Sequence, residues 1–144
     1  MANAYSGAGG WVKERFLRQR RYIPQITVGT EAANVIPVSI SLTTFQESAN
    51  DYVTADESIN CLIELIEMSD AMIATHSSEA DFSPTTGTAV SGDNRALMIV
   101  ASTASGAIAL DVTDQAGGSG KTFLLRVTPM SKPGFPAIAS ITFD

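Results

Sequence analysis

The chain has 144 residues, a formal net charge of −6, 44% hydrophobic residues and 17% charged residues. Its length allows one domain with a single core and a short appendage, and its composition excludes an intrinsically disordered chain. The single cysteine, Cys61, excludes an internal disulfide framework.

The first residues, MANAYSGAGGWVKERF, lack the apolar stretch of a secretory signal. No segment of the chain approaches the roughly 18 apolar residues that a membrane-spanning helix requires. We therefore expect synthesis and folding in a reducing cytoplasm, without a membrane as partner.

Charge is distributed unevenly along the sequence. Five of the nine cations lie within residues 1–24 against a single acid, Glu14. The remaining four cations and fourteen acids follow. A basic arm therefore precedes an acidic body, and such an asymmetry concerns binding partners and not the fold.

The arm, residues 1–24, begins with the small residues of MANAYSGAGG, which predict a loose terminus. The stretch WVKERFLRQRRY has the spacing of a short amphipathic helix that would need a surface to dock on, and Pro24 would end it. Its cations and aromatic residues are the candidate partner-binding residues: Trp11, Lys13, Arg15, Phe16, Arg18, Arg20, Arg21 and Tyr22.

Three interpretations of this cluster stay open. Its aromatic residues and arginines could dock on an acidic surface of a partner protein. The segment could instead pack on the chain's own domain. Phosphate contacts and base stacking could bind nucleic acid, although the acidic body makes general nucleic-acid binding the less favoured interpretation.

Residues 25–144 consist of short β-like stretches separated by turn signals. QITVGT and NVIPVSISL read as strands, whereas TTFQESANDYVTADE reads as a loop. SINCLIELIEM fits both a helical and an alternating period, and we predict a strand because its neighbours are strand-like. AMIATH is a further short strand candidate, and SSEADFSPTTGTAVSGDN is rich in turn residues.

The last third of the chain has the clearest pattern. The predicted strands are RALMIVAST, AIALDVTD, KTFLLRVTPM and FPAIASITFD, separated by Gly- and Pro-containing turns. About seven or eight short strands at regular spacing predict an all-β fold, an antiparallel β-sandwich over residues 25–144.

The stretch QAGGSGKT ends like a phosphate-binding loop. That motif requires a glycine at position 115, where this chain has Gln115, and a helix after Thr122, where the pattern alternates as in a strand. We therefore interpret Gly117, Gly118 and Gly120 as positive-φ residues of a hairpin loop between antiparallel strands.

The other candidate chemistry is sparse. His76 is the only histidine, with Glu79 and Asp81 as its nearest candidates for metal ligation, and we interpret it as a solvated loop residue. One histidine and one cysteine do not make a tetrahedral zinc site. A nucleophilic pair of Cys61 and His76 is conceivable, but a buried, inert thiol is the default.

Calcium is the remaining metal candidate. Asp111 and Asp114 could ligate it, although the loop around them lacks the ligand count of a known calcium loop. We expect no metal and no cofactor.

The C-terminal 60 residues carry a resemblance. An apolar strand is followed by Thr103-x-x-Gly106 before ALDVTD, then by a small-residue loop, KTFLLRV and a closing SITFD. This pattern resembles a domain that recurs in structural proteins of tailed-bacteriophage virions. The resemblance implies an Ig-like β-sandwich on a capsid or tail surface and an accessory role in the virion.

The sequence therefore predicts a non-enzymatic virion component. We expect a capsid decoration or cement protein that the arm anchors to capsid or other virion proteins, present in symmetric copies or as a homo-oligomer. The alternatives are a tail or connector component, a β-rich nucleic-acid-binding protein that uses the arm, and a small hydrolase that uses Cys61 and His76.

Overall fold

A computed structural model describes residues 21–68, 74–91, 96–115, 120–131 and 134–144. Within these residues the chain is all-β. The strands are β1 (Tyr22–Val28), β2 (Val35–Gln46), β3 (Asp51–Thr54), β4 (Asn60–Met68), β5 (Ala74–His76), β6 (Ala80–Thr86), β7 (Thr88–Ser91), β8 (Leu97–Ala101), β9 (Ala107–Asp114), β10 (Thr122–Pro129) and β11 (Ala137–Thr142). Over the same residues, no helix is long and apolar enough to cross a membrane.

The strands form two antiparallel sheets. The first sheet has the order β1-β2-β9-β6, with β3 paired to the end of β2. The second has the order β11-β10-β4-β8-β7, with β5 paired to β4. The predicted β-sandwich is confirmed.

Seven of the strands have the arrangement of an immunoglobulin-type sandwich. The first, second, fifth and fourth strands of that fold form one sheet, and the third, sixth and seventh form the other. Here β1, β2, β9 and β6 make the first set, and β4, β10 and β11 make the second. The remaining described strands extend these two sheets, which is why the number of strands exceeds the predicted seven or eight.

The core lies between the sheets and follows from alternation along the strands. In β9, Ile108, Leu110 and Val112 are at most 1% exposed, while the residues between them face outward. Phe123 of β10 packs edge-on against Phe143, with ring centroids 6.0 Å apart. Each such side chain contributes about 1.5–3 kcal/mol when fully buried, so this layer dominates the stability.

The ambiguous stretch SINCLIELIEM forms strand β4, as predicted. Cys61, Ile63 and Leu65 face the core, while Leu62 and Ile66 lie on the outer face of the same strand. Because both faces carry apolar residues, the sequence shows a helical period as well as an alternating one. The two competing periods in this stretch therefore arise from the apolar residues on the outer face of β4.

Two stretches predicted as loop or turn contain strands, and these predictions are wrong. Residues 43–57 include the end of β2 and β3, joined by a turn at Asn50 with φ of 49°. Residues 77–94 include β6 and β7, joined at Gly87 with φ of 95°. Their polar residues lie outside the core, except for the buried Thr44, and pairing with β2, β8 and β9 makes these stretches strands.

The loop before Lys121 does not close a hairpin. It joins β9 of the first sheet to β10 of the second, so the predicted pairing of its flanking strands is wrong. Gly120 has φ of 79°, as the turn interpretation requires, whereas Gly117 and Gly118 lie outside the described residues. The loop crosses from one sheet to the other because β9 and β10 contribute core residues from opposite sheets of the sandwich.

Candidate functional site

The predicted arm is only partly described. Arg21 and Tyr22 are the two of its candidate residues that the structure describes. The others lie outside the described residues: Trp11, Lys13, Arg15, Phe16, Arg18 and Arg20. The site can therefore be built from the point at which the arm joins the sandwich.

Tyr22 belongs to the core and not to an exposed arm. It is the first residue of β1, pairs with Thr44 and is 0% exposed. Its hydroxyl donates a hydrogen bond to Glu57 Oε1. The prediction that Tyr22 contacts an outside partner is thereby corrected, and the sandwich begins before the predicted boundary at residue 25.

Gly134, near the other end of the sequence, lets the chain pack closely against Tyr22 at this junction. Tyr22 forms a parallel bridge with Gly134, and the Phe135 amide donates to the Tyr22 carbonyl oxygen at 3.1 Å. A Cβ atom at Gly134 would lie 2.6 Å from that oxygen, so only glycine allows the approach. Tyr22 therefore joins the edges of both sheets.

Arg21 is exposed, as predicted for a residue of the arm. Its guanidinium carbon lies 5.9 Å from the centroid of the Phe135 ring, within the range of a cation–π contact. The Phe135 side chain is itself 51% exposed. The last cation of the arm thus rests on an aromatic ring that is half open to solvent.

Two further exposed aromatic residues lie beside this junction. Phe45 follows Thr44, the partner of Tyr22, and pairs with Tyr52 of β3. The Phe45 and Tyr52 rings are 5.4 Å apart in an edge-on arrangement, and each side chain is at least half exposed. We call Arg21, Phe45, Tyr52 and Phe135 the arm-root surface.

Carboxylates border the arm-root surface. Asp51 Oδ1 accepts a hydrogen bond from the Tyr52 amide at 2.7 Å, and Glu57 holds the Tyr22 hydroxyl. A shallow cleft at the same end is lined by Thr44, Phe45, Gln46, Val53, Thr54 and Asp56. Exposed rings next to carboxylates can bind a partner that carries both apolar and basic groups.

Lys121 makes a protein contact that explains it without a phosphate. Its ammonium group donates to Glu79 Oε2, and this hydrogen bond raises the pKa of Lys121. Strand β10 begins at Thr122, so the helix that a phosphate loop requires is not formed there. The stretch is therefore a connection between the two sheets that leads into a strand, and not the predicted hairpin loop.

Cys61 and His76 cannot form a nucleophilic pair in this fold. Cys61 faces the core from β4, with 0% exposure. His76 pairs with Ile66, which lies on the outer face of the same strand. Burial raises the pKa of the Cys61 thiol to about 12, so the thiol is protonated at neutral pH.

We expect the Cys61 thiol to resist a disulfide reagent in the folded protein. At pH 8, a pKa of about 12 leaves a thiolate fraction of about 10⁻⁴, and the sulfur lies inside the core. The measurement compares the rate at which Cys61 reacts with the reagent in native buffer and in guanidinium chloride, followed by the thiol that the reagent releases. Equal rates in the two conditions would contradict the burial.

The acidic candidates for metal ligation are separated as well. Asp114 is 5% exposed and faces inward, whereas Asp111 lies on the outer face of β9, so they cannot share an ion. Within the described ranges, no three His, Cys, Asp or Glu side chains are grouped to hold a metal.

The structure also brings together a glutamate, an arginine and a histidine that the sequence did not connect. Glu64 Oε1 and Oε2 accept bonds from Arg126 Nε and Nη2 at 3.0 and 2.9 Å. His76 is exposed, as predicted, but it lies in strand β5 and not in a loop, and its Nε2 is 3.0 Å from Glu64 Oε2. Arg126 in particular holds the pKa of Glu64 below its usual value.

In the sequence, this network is indicated only by Glu64, a glutamate inside the apolar run CLIELIEM. Strands β4 and β10 had to be paired before Arg126 could be matched to Glu64. Both carboxylate oxygens of Glu64 accept hydrogen bonds from Arg126, and the arm-root surface presents three exposed rings and one cation. No family model, curated protein or solved structure matches the chain.

Proposed function

We propose that this protein is a non-enzymatic structural component of a tailed-phage virion, a capsid decoration or cement protein anchored by its N-terminal arm. One observation carries the proposal: the root of a basic, aromatic arm emerges beside exposed rings at one end of an Ig-type sandwich. The resemblance of the last 60 residues to phage structural domains supports the virion context.

The mechanism is binding by the arm. The root of the arm is tied to both sheets through Tyr22, so a contact made by the arm is transmitted to the rigid body. The arm carries Trp11 and Phe16 as apolar anchors among its cations. Arrayed on a symmetric particle, many copies would multiply a modest affinity per copy.

The proposal predicts where the protein is found. An antibody raised against residues 22–144 is expected to label purified phage particles in immunogold electron microscopy. Labelling over the whole head supports a decoration or cement role, and labelling at one vertex or along the tail indicates a connector or tail component. Unlabelled particles, with the protein present in infected cells, contradict the virion proposal.

The role of the arm has its own test. Trp11→Ala together with Phe16→Ala is expected to weaken binding of the purified protein to particles that lack it by at least about tenfold, since apolar anchors dominate such contacts. Tyr5→Ala, an aromatic residue outside the basic cluster, is the matched control. If DNA affinity instead falls steeply with salt, phosphate binding becomes the function of the arm.

A further inference from the structure

The outer faces of the two sheets differ in chemistry. On the first sheet, small and polar residues fill the central cross-strand rows, which are Gln25–Ser41–Ala107, Thr27–Ser39–Ala109 and Pro37–Asp111–Ser83. This is the usual solvated face of an antiparallel sheet. The outer face of the second sheet can be compared with this face.

The outer face of the second sheet is the more apolar of the two, because six of the eleven residues in its central rows are apolar. Its central rows are Ile138–Arg126–Glu64–Leu97, Ser140–Leu124–Ile66–His76 and Thr128–Leu62–Ile99. Ile138 is 60% exposed, the largest exposed fraction among the large hydrophobic residues that the structure describes. An apolar sheet face next to a polar one within a single domain indicates a surface that is covered by a partner.

The charges on this face compensate one another. The Glu64 side chain is only 10% exposed, and the bidentate contact with Arg126 neutralises it. Arg126 lies in register between Glu64 and Ile138, so the pair sits within the apolar rows. A partner could therefore cover the face without leaving an unpaired charge.

We propose that this face pairs with the same face of a second copy of the chain about a two-fold axis. From residue 25 onward the body has four cations and fourteen acids, a net charge of −10, so most approaches between two bodies are repulsive. In its central rows the outer face of the second sheet carries one compensated ion pair and a majority of apolar residues. A two-fold contact sets each apolar row against its equivalent, which makes the face self-complementary.

The size of the face predicts the strength of this contact. Five strands spaced about 4.8 Å apart and about six residues long span roughly 24 by 20 Å, or about 500 Å² per copy. Two copies would bury on the order of 1,000 Å², the lower limit of specific interfaces. The dimer is therefore weak in dilute solution and populated where copies are concentrated, as on a particle surface.

Sedimentation equilibrium of the full chain between about 10 µM and about 1 mM tests this pairing. The expected result is a mass that rises from monomer toward dimer. Leu124→Thr together with Ile138→Thr is expected to weaken the dimer at least about tenfold while keeping strand-compatible side chains. Ile138→Thr alone, at an exposed edge position, serves if the double variant does not fold.

The matched control is Gln25→Thr, which changes an exposed side chain on the outer face of the first sheet and should leave association unchanged. Concentration-dependent methyl NMR shifts are expected at Leu97, Leu124 and Ile138. A wild-type chain that stays monomeric, or an association that survives the double variant, overturns the proposal. So does an association lost in Trp11→Ala with Phe16→Ala, because the contact would then belong to the arm.

Discussion

Replacing Tyr22 by alanine is expected to lower the free energy of unfolding by about 3–5 kcal/mol. The side chain is fully buried at the junction of the two sheets, and its removal leaves a cavity and removes the hydroxyl bond to Glu57. Because domains of this size are stable by only about 5–15 kcal/mol, much of the stability would be lost. Urea denaturation followed by Trp11 fluorescence or by circular dichroism measures the change.

Two variants separate the contributions at this junction. Tyr22→Phe keeps the ring and removes only the hydroxyl bond to Glu57, so a loss of about 1–3 kcal/mol is expected. Arg21→Ala, one residue earlier and exposed, is expected to change stability by about 0.5 kcal/mol or less. If Tyr22→Ala also leaves stability unchanged, Tyr22 belongs to the arm after all.

Replacing Arg126 by methionine is expected to cost about 1–3 kcal/mol at pH 7, because the Glu64 carboxylate loses both of its guanidinium bonds on a largely covered site. The pKa of Glu64 is depressed in the folded protein. Its contribution is therefore fully present above the unfolded pKa of about 4.3 and is lost as pH falls through the lower folded value.

The pH profile of stability distinguishes this pair from a general acid effect. Wild-type protein should lose stability more steeply between about pH 5 and pH 2 than Glu64→Gln, which has no carboxylate to protonate at this position. A double-mutant cycle with Arg126→Met isolates the interaction energy of the pair. Parallel profiles for the wild type and Glu64→Gln would show that the pair contributes nothing to stability.

The end of the arm shows that neighbouring residues in the sequence can have different environments in the fold. Arg21 and Tyr22 are adjacent and were predicted to share one role, yet one is exposed and the other is in the core. The position at which β1 begins depends on Thr44 and Gly134, which lie 22 and 112 residues away in sequence. Local composition carries no information about these contacts, so the predicted arm ends three residues later than the arm in the structure.

What the sequence determined by itself is the secondary structure of its alternating stretches. Residues 107–114 and 122–129 have apolar side chains at every second position, and strands with one buried face follow from that period. The sequence likewise argues against a phosphate loop, because Gln115 stands where the motif requires a glycine and an alternating stretch follows Thr122 where the motif requires a helix.

What only the tertiary structure decided is which faces and which distant groups meet. β3, β6 and β7 are polar stretches that become strands by pairing with neighbours, and β4 has an apolar outer face that a local period cannot assign. Glu64 and Arg126, 62 residues apart, come together because two strands share one register. Backbone pairing across a sheet is non-local, and pattern along the chain does not encode its partners.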